Sequence, residues 1–181
     1  MTIVTPAPPR WAVWAARAVP LGLLPSTLWR FALGAGIPVG FSGQLARDFA
    51  APGWMITPYV IGLSLVAEAV GLLTLGLVQP WGEVLPRWLP ILGGRKIPVL
   101  AAVIPAILGA AAVTLLAFAT AASWYGPENN GNPEAPQGIA GLVMTLCYAP
   151  MLAWGPLVAA VAVAYYRRRT PAAVRSGYAA A

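Results

Sequence analysis

The sequence predicts an all-α protein, a polytopic transmembrane bundle of four proline-kinked helices, and three observations carry that prediction. Only 9% of the 181 residues are charged while 59% are hydrophobic, whereas a soluble domain is about a quarter charged. So few charges cannot cover a water-facing surface. Four apolar stretches, approximately 11–35, 57–79, 97–125 and 139–166, reach the ~20 residues that cross ~30 Å of hydrocarbon as a helix. The bases are also divided unequally about those stretches. Arg10, Arg87, Arg95, Lys96, Arg167, Arg168, Arg169 and Arg175 fall on one side, and Arg47 stands alone on the other. The positive-inside rule then gives a multi-pass protein of the cell membrane with both termini in the cytoplasm. The bundle occupies 11–166, between an N-terminal tail at 1–10 and a basic C-terminal tail at 167–181.

The first stretch is the least regular. Trp11 and Trp14 at one end and Trp29 at the other suit two interfacial aromatic belts. Between them lie Arg17, Pro20, Pro25 and Arg30, and the two prolines predict a kink whose freed carbonyls need partners. Residues 36–56 read as a loop, broken by Pro38, Gly40, Gly43, Pro52 and Gly53. The second stretch carries a single charge, Glu68, at its centre. Residues 79–98 are too rich in proline and glycine for one helix, but their Trp, Leu, Arg and Lys side chains suit the headgroup region. In the third stretch, Pro98 fits the first helical turn, and alanines, Gly109 and Thr114 permit close helix contact. Residues 126–138 form a polar loop holding Glu128 and Glu134 and no base. The last stretch is interrupted by Pro150 and Pro156 and ends in Tyr165-Tyr166-Arg167-Arg168-Arg169, an expected anchor on anionic lipid.

Composition removes several chemistries. Histidine is absent and Cys147 is the lone cysteine. Ser-His and Cys-His nucleophile pairs, zinc clusters and iron-sulfur sites therefore cannot be assembled, and no cofactor or metal is predicted. The net charge of +6 could suggest nucleic acid. The bases, however, sit in short segments beside apolar spans, without an aromatic-studded soluble domain, so membrane lipids with anionic headgroups are the expected partners. Gly93-Gly94-Arg95-Lys96 lacks Walker spacing and a preceding strand, and reads as a lipid-phosphate contact through Arg95 and Lys96.

Glu68 is the sharpest candidate for chemistry, because a carboxyl at the bilayer midplane is costly unless protonated, paired or wet. Ser64 and Gly71 share its face, which turns it towards protein rather than lipid. Helical depth makes Arg17 its ion-pair partner if the first span begins near Trp11, and Arg30 if it begins near Ala18. Two readings follow. The leading one is a non-catalytic bundle that associates with itself or with another membrane protein. The other is a lipid-phase isomerase or cyclase of an isoprenoid-like substrate, with protonated Glu68 as acid and Tyr148 and Trp154 stabilising a cation.

The run Gln79-Pro80-Trp81-Gly82-Glu83-Val84-Leu85-Pro86-Arg87-Trp88, then Leu92-Gly93-Gly94-Arg95-Lys96, resembles small, uncharacterised four-span membrane proteins of actinobacteria. Leu28-Trp29-Arg30 and Cys147-Tyr148-Ala149-Pro150 support the likeness. It implies a four-span fold over most of the chain and no known activity, so no catalytic residue comes with it.

Overall fold

The computed structural model describes residues 7–84 and 94–170. Among the described residues six α-helices follow one another: α1 (Arg10–Gly34), α2 (Gly43–Asp48), α3 (Ile56–Leu73), α4 (Val99–Ala122), α5 (Gly138–Tyr148) and α6 (Trp154–Arg169). A 3-10 turn, Thr74–Leu77, extends α3, and another, Ala149–Ala153, joins α5 to α6. Among the described residues the one extended pairing is an isolated antiparallel bridge between Val84 and Lys96.

Among the described residues three helical stretches are long and apolar enough to cross a membrane: Ile56–Leu77, Val99–Ala122 and Gly138–Arg169. The sequence predicts four such spans, and α1 is the one that is not among these three. At 25 residues it measures ~37 Å, which is sufficient length. Its apolar content is diluted by Arg10, Arg17, Ser26, Thr27 and Arg30. The helix continues through Pro20 and Pro25, as α4 continues through Pro105.

α1 nevertheless occupies the centre, packed against α3, α5 and α6. Ala12, Ala16, Val19, Leu23, Ser26, Arg30 and Leu33 are all buried. Their spacing of three and four residues makes one continuous inward stripe. α3 comes close where Gly71 meets Leu23: a Cβ there would stand 2.8 Å from Leu23 Cδ1. α4 lies outside and rests mainly on α6. The two backbones meet at Gly155, where a Cβ would stand 2.6 Å from the Ala110 carbonyl oxygen. Ala110 is the only buried residue of α4.

Polar contacts tie both ends of the bundle. At the basic end, Arg168 Nη1 pairs with Glu83 Oε1 at 2.7 Å and Arg168 Nη2 donates to the Leu77 carbonyl at 3.3 Å. Arg169 donates to the Ile97 carbonyl at 3.1 Å and to the Tyr165 hydroxyl, which itself donates to the Gly82 carbonyl at 2.9 Å. The expected lipid anchor is thus largely engaged within the protein, and only Arg167 of the triplet is exposed. Arg87 and Trp88 lie outside the described residues, as does Arg175.

At the opposite end, residues 36–56 are not wholly a loop. The Glu134 carboxylate accepts from the amides of Gln44 and Leu45 at 2.7 and 3.0 Å. A carboxylate on otherwise unpaired first-turn amides stabilises a helix start, and α2 forms there. Gly43 makes room for it, because a side chain at that position would collide with Glu134. Nothing local in residues 36–56 supplies that cap.

Candidate functional site

Polar side chains of α1 and α3 gather between these helices and the end of α5. Arg30 is only 7% exposed and, among the described residues, has no carboxylate within ion-pair distance. Its Nε donates to Ser64 Oγ at 2.8 Å and its Nη2 to Ser26 Oγ at 3.4 Å. Each hydroxyl passes its own proton onward to backbone: Ser26 to the Leu23 carbonyl at 2.8 Å, Ser64 to the Val60 carbonyl at 2.7 Å. Since a guanidinium has donors only and a hydroxyl both donates and accepts, two relays carry the positive charge into helix carbonyl dipoles. The guanidinium also lies 5.6 Å from the centre of the Tyr148 ring, a favourable cation-π placement. A counter-charge is replaced by dipoles and a π face.

Glu68 sits one turn deeper on α3. Its Oε1 accepts from the Thr27 hydroxyl at 2.9 Å, so the expected ion pair with Arg17 or Arg30 is not formed. Arg17 is exposed and lies 5.6 Å from the Trp14 ring centre. The reason is rotation. Thirteen residues at 3.6 per turn place Arg17 and Arg30 about 140° apart around α1, so the two cannot share a face. Depth along the helix does not distinguish them, whereas angle around it does.

Tyr148 joins an aromatic cluster, with Trp29 at 5.7 Å edge-on and Trp124 at 5.7 Å. Trp29 also meets Phe41 at 6.1 Å. Trp29 is 8% exposed, so it serves as core and not as the interfacial belt its position suggests. Trp11, Trp14 and Trp54 are exposed. Trp124 is partly covered and donates from its indole to Thr145 Oγ1 at 3.0 Å.

Two open apolar grooves of about 380 Å³ each flank α4. One runs between α3, α4 and α6, and the other between α4 and the α5–α6 segment. Trp154 lines both, Tyr148 lines the second, and Glu68 lines neither. Arg95 and Lys96 stand exposed just before α4. No group of three or more His, Cys, Asp or Glu side chains able to hold a metal ion occurs among the described residues.

No protein-family model, curated protein or solved structure matches this chain. Of the sequence candidates, the fold joins Arg30, Ser64 and Tyr148 in one cluster and leaves Glu68 beside it, one turn away. It separates Arg17, Arg95 and Lys96 from that cluster, and Trp154 approaches it only along the groove that it lines with Tyr148. Ser26 and Thr27 were missed as partners. The signal was present, since both lie one turn before Arg30 on the same helix face. Tyr165 and Glu83 were missed at the basic end, where their contacts span more than eighty residues.

Proposed function

We propose that this protein is a non-catalytic membrane bundle, crossing the bilayer four times with α1 as the fourth span, that works by associating with itself or with another membrane protein. One observation carries the reading. The residues that catalysis would need together are apart, since Glu68 is engaged by Thr27 while Tyr148 and Trp154 line a groove that excludes it. The length of α1 and its burial by three neighbouring helices support a fourth crossing. The first helix begins and the last helix ends at the same, basic end of the bundle, where Ala16 and Tyr165 share one core cluster. By the positive-inside rule that end faces the cytoplasm.

Association is supported by the outer helices. α3 and α4 present Leu65, Val66, Leu73, Leu115 and Leu116 outward. Ala111 and Ala112 on the outer surface of α4 let another helix approach closely, and close packing is what drives helices together in lipid. The test is extraction of the native membrane into polymer-bounded lipid discs, followed by subunit counting. A second copy or a stoichiometric membrane partner is expected, and a solitary monomer would contradict the reading. A lipid-phase isomerase or cyclase is the second reading, favoured by the aromatic lining of the groove at Trp124, Tyr148 and Trp154. It requires an acid other than Glu68 or a movement that brings Glu68 to that groove.

A further inference from the structure

We propose that the groove between α3, α4 and α6 holds one anionic phospholipid of the leaflet at the basic end, an acyl chain lying along α4 and the phosphate against Arg95 and Lys96. The inference rests on the membrane placement above and not on the association.

Shape comes first. The groove follows α4 from Ala101 to Val113, a rise of ~18 Å at 1.5 Å per residue. One leaflet contributes ~15 Å, half of the ~30 Å of hydrocarbon. The groove is therefore one lipid chain long rather than one membrane deep, and Trp154 lies at its inner reach. Its volume of about 380 Å³ falls within the ~300 to 1,000 Å³ of small-ligand sites. Its walls, including Leu77, Pro105 and Val158, are apolar, and its open side gives access from the bilayer.

Charge selects the headgroup. Trp81, Gly82 and Ile97 line the groove at the basic end. Arg95 and Lys96 immediately precede Ile97 and are exposed. Arg168 and Arg169 donate to the carbonyls of Leu77 and Ile97, two lining residues. Among the described residues the one acidic side chain at this end is Glu83, already paired with Arg168 at 2.7 Å. The mouth is net positive. The other groove opens instead near Trp124 and Tyr125, next to the 126–138 loop with its two glutamates and no base. Only the first groove combines leaflet length with a cationic rim, and a phosphate of an inner-leaflet lipid satisfies both.

Gly109 supplies a clean probe. It lines the groove, and a Cβ there would have nothing within 4 Å, so the side chain of Gly109→Leu starts into open groove rather than against protein atoms. Full-length protein is reconstituted in vesicles of equal phosphatidylglycerol and phosphatidylcholine, and the lipids it retains are identified by native mass spectrometry. The wild type should keep one phosphatidylglycerol in clear preference. Arg95→Gln with Lys96→Gln, removing two surface charges, should lower that preference by roughly thirty-fold. Gly109→Leu should lose the retained lipid of either kind at an unchanged melting temperature. Equal retention of the two lipids by the wild type, or a preference untouched by the Arg95/Lys96 change, overturns the inference and leaves the membrane reading standing. A wild type that fails to enter vesicles overturns both. Should Gly109→Leu not fold, the Arg95/Lys96 pair decides alone.

Discussion

α1 and α4 are nearly the same length, and they invert the rule by which soluble proteins are built. α4 is almost entirely apolar, yet only 6% of its membrane-length stretch is buried within the protein. α1 carries three arginines, a serine and a threonine, and it supplies ten buried residues. In water the apolar helix would be the core. In lipid, apolar surface gains nothing by leaving the bilayer, whereas polar groups must find protein partners. The helix with the most polar groups is therefore the one drawn to the centre, and the one with the fewest is left at the margin.

That difference can be broken most severely where the two kinds of helix depend on one contact. α4 is held against α6 at Gly155, where added side-chain atoms would meet the Ala110 carbonyl at 2.6 Å and the Thr114 amide at 2.9 Å. Neither is a flexible group that can yield. Gly155→Leu should cost about 3 kcal/mol or prevent folding, read as loss of the cooperative melting transition in detergent.

A smaller loss is expected within the polar stripe of α1. Ser64→Ala removes the acceptor of Arg30 Nε, leaving a buried charged donor unsatisfied, and should cost roughly 2 kcal/mol. Glu68→Gln should barely move the melting temperature, by less than about 0.5 kcal/mol equivalent, because the amide oxygen accepts from Thr27 as the carboxylate does. An ion pair between Glu68 and an arginine would make Glu68→Gln the costlier change, so the ordering of these two melting temperatures distinguishes the arrangements.

Hydropathy makes the helical class and the positions of α3, α4 and the α5–α6 stretch legible, because each is a long apolar run whose ends are marked by Pro98, Trp124 or the arginine triplet. Ser64 was legible beside Glu68 because the two lie one turn apart on one face of α3. Rotation about α1 was not used, and it is rotation that exposes Arg17 and buries Arg30. The central role of α1 is partly legible in the spacing of Ala12, Ala16, Val19 and Leu23, although its arginines and prolines mask that stripe in hydropathy. Contacts between distant loops left no local trace. Glu134 capping α2 and Glu83 held by Arg168 depend on which loops meet, and single-sequence periodicity carries no such information.

The same substitution on the two helices tests the inside-out arrangement most directly. Leu23 on α1 is 0% exposed and Leu115 on α4 is 72% exposed. With lipid replacing water there is little transfer term to lose at Leu115, while Leu23→Ala opens a cavity against Gly71 and its neighbours. Thermal melting of the two variants in one detergent or lipid disc should show Leu23→Ala destabilised by roughly 2 to 3 kcal/mol and Leu115→Ala unchanged within about 0.5 kcal/mol. Equal losses, or the larger loss at Leu115, would contradict a bundle centred on α1.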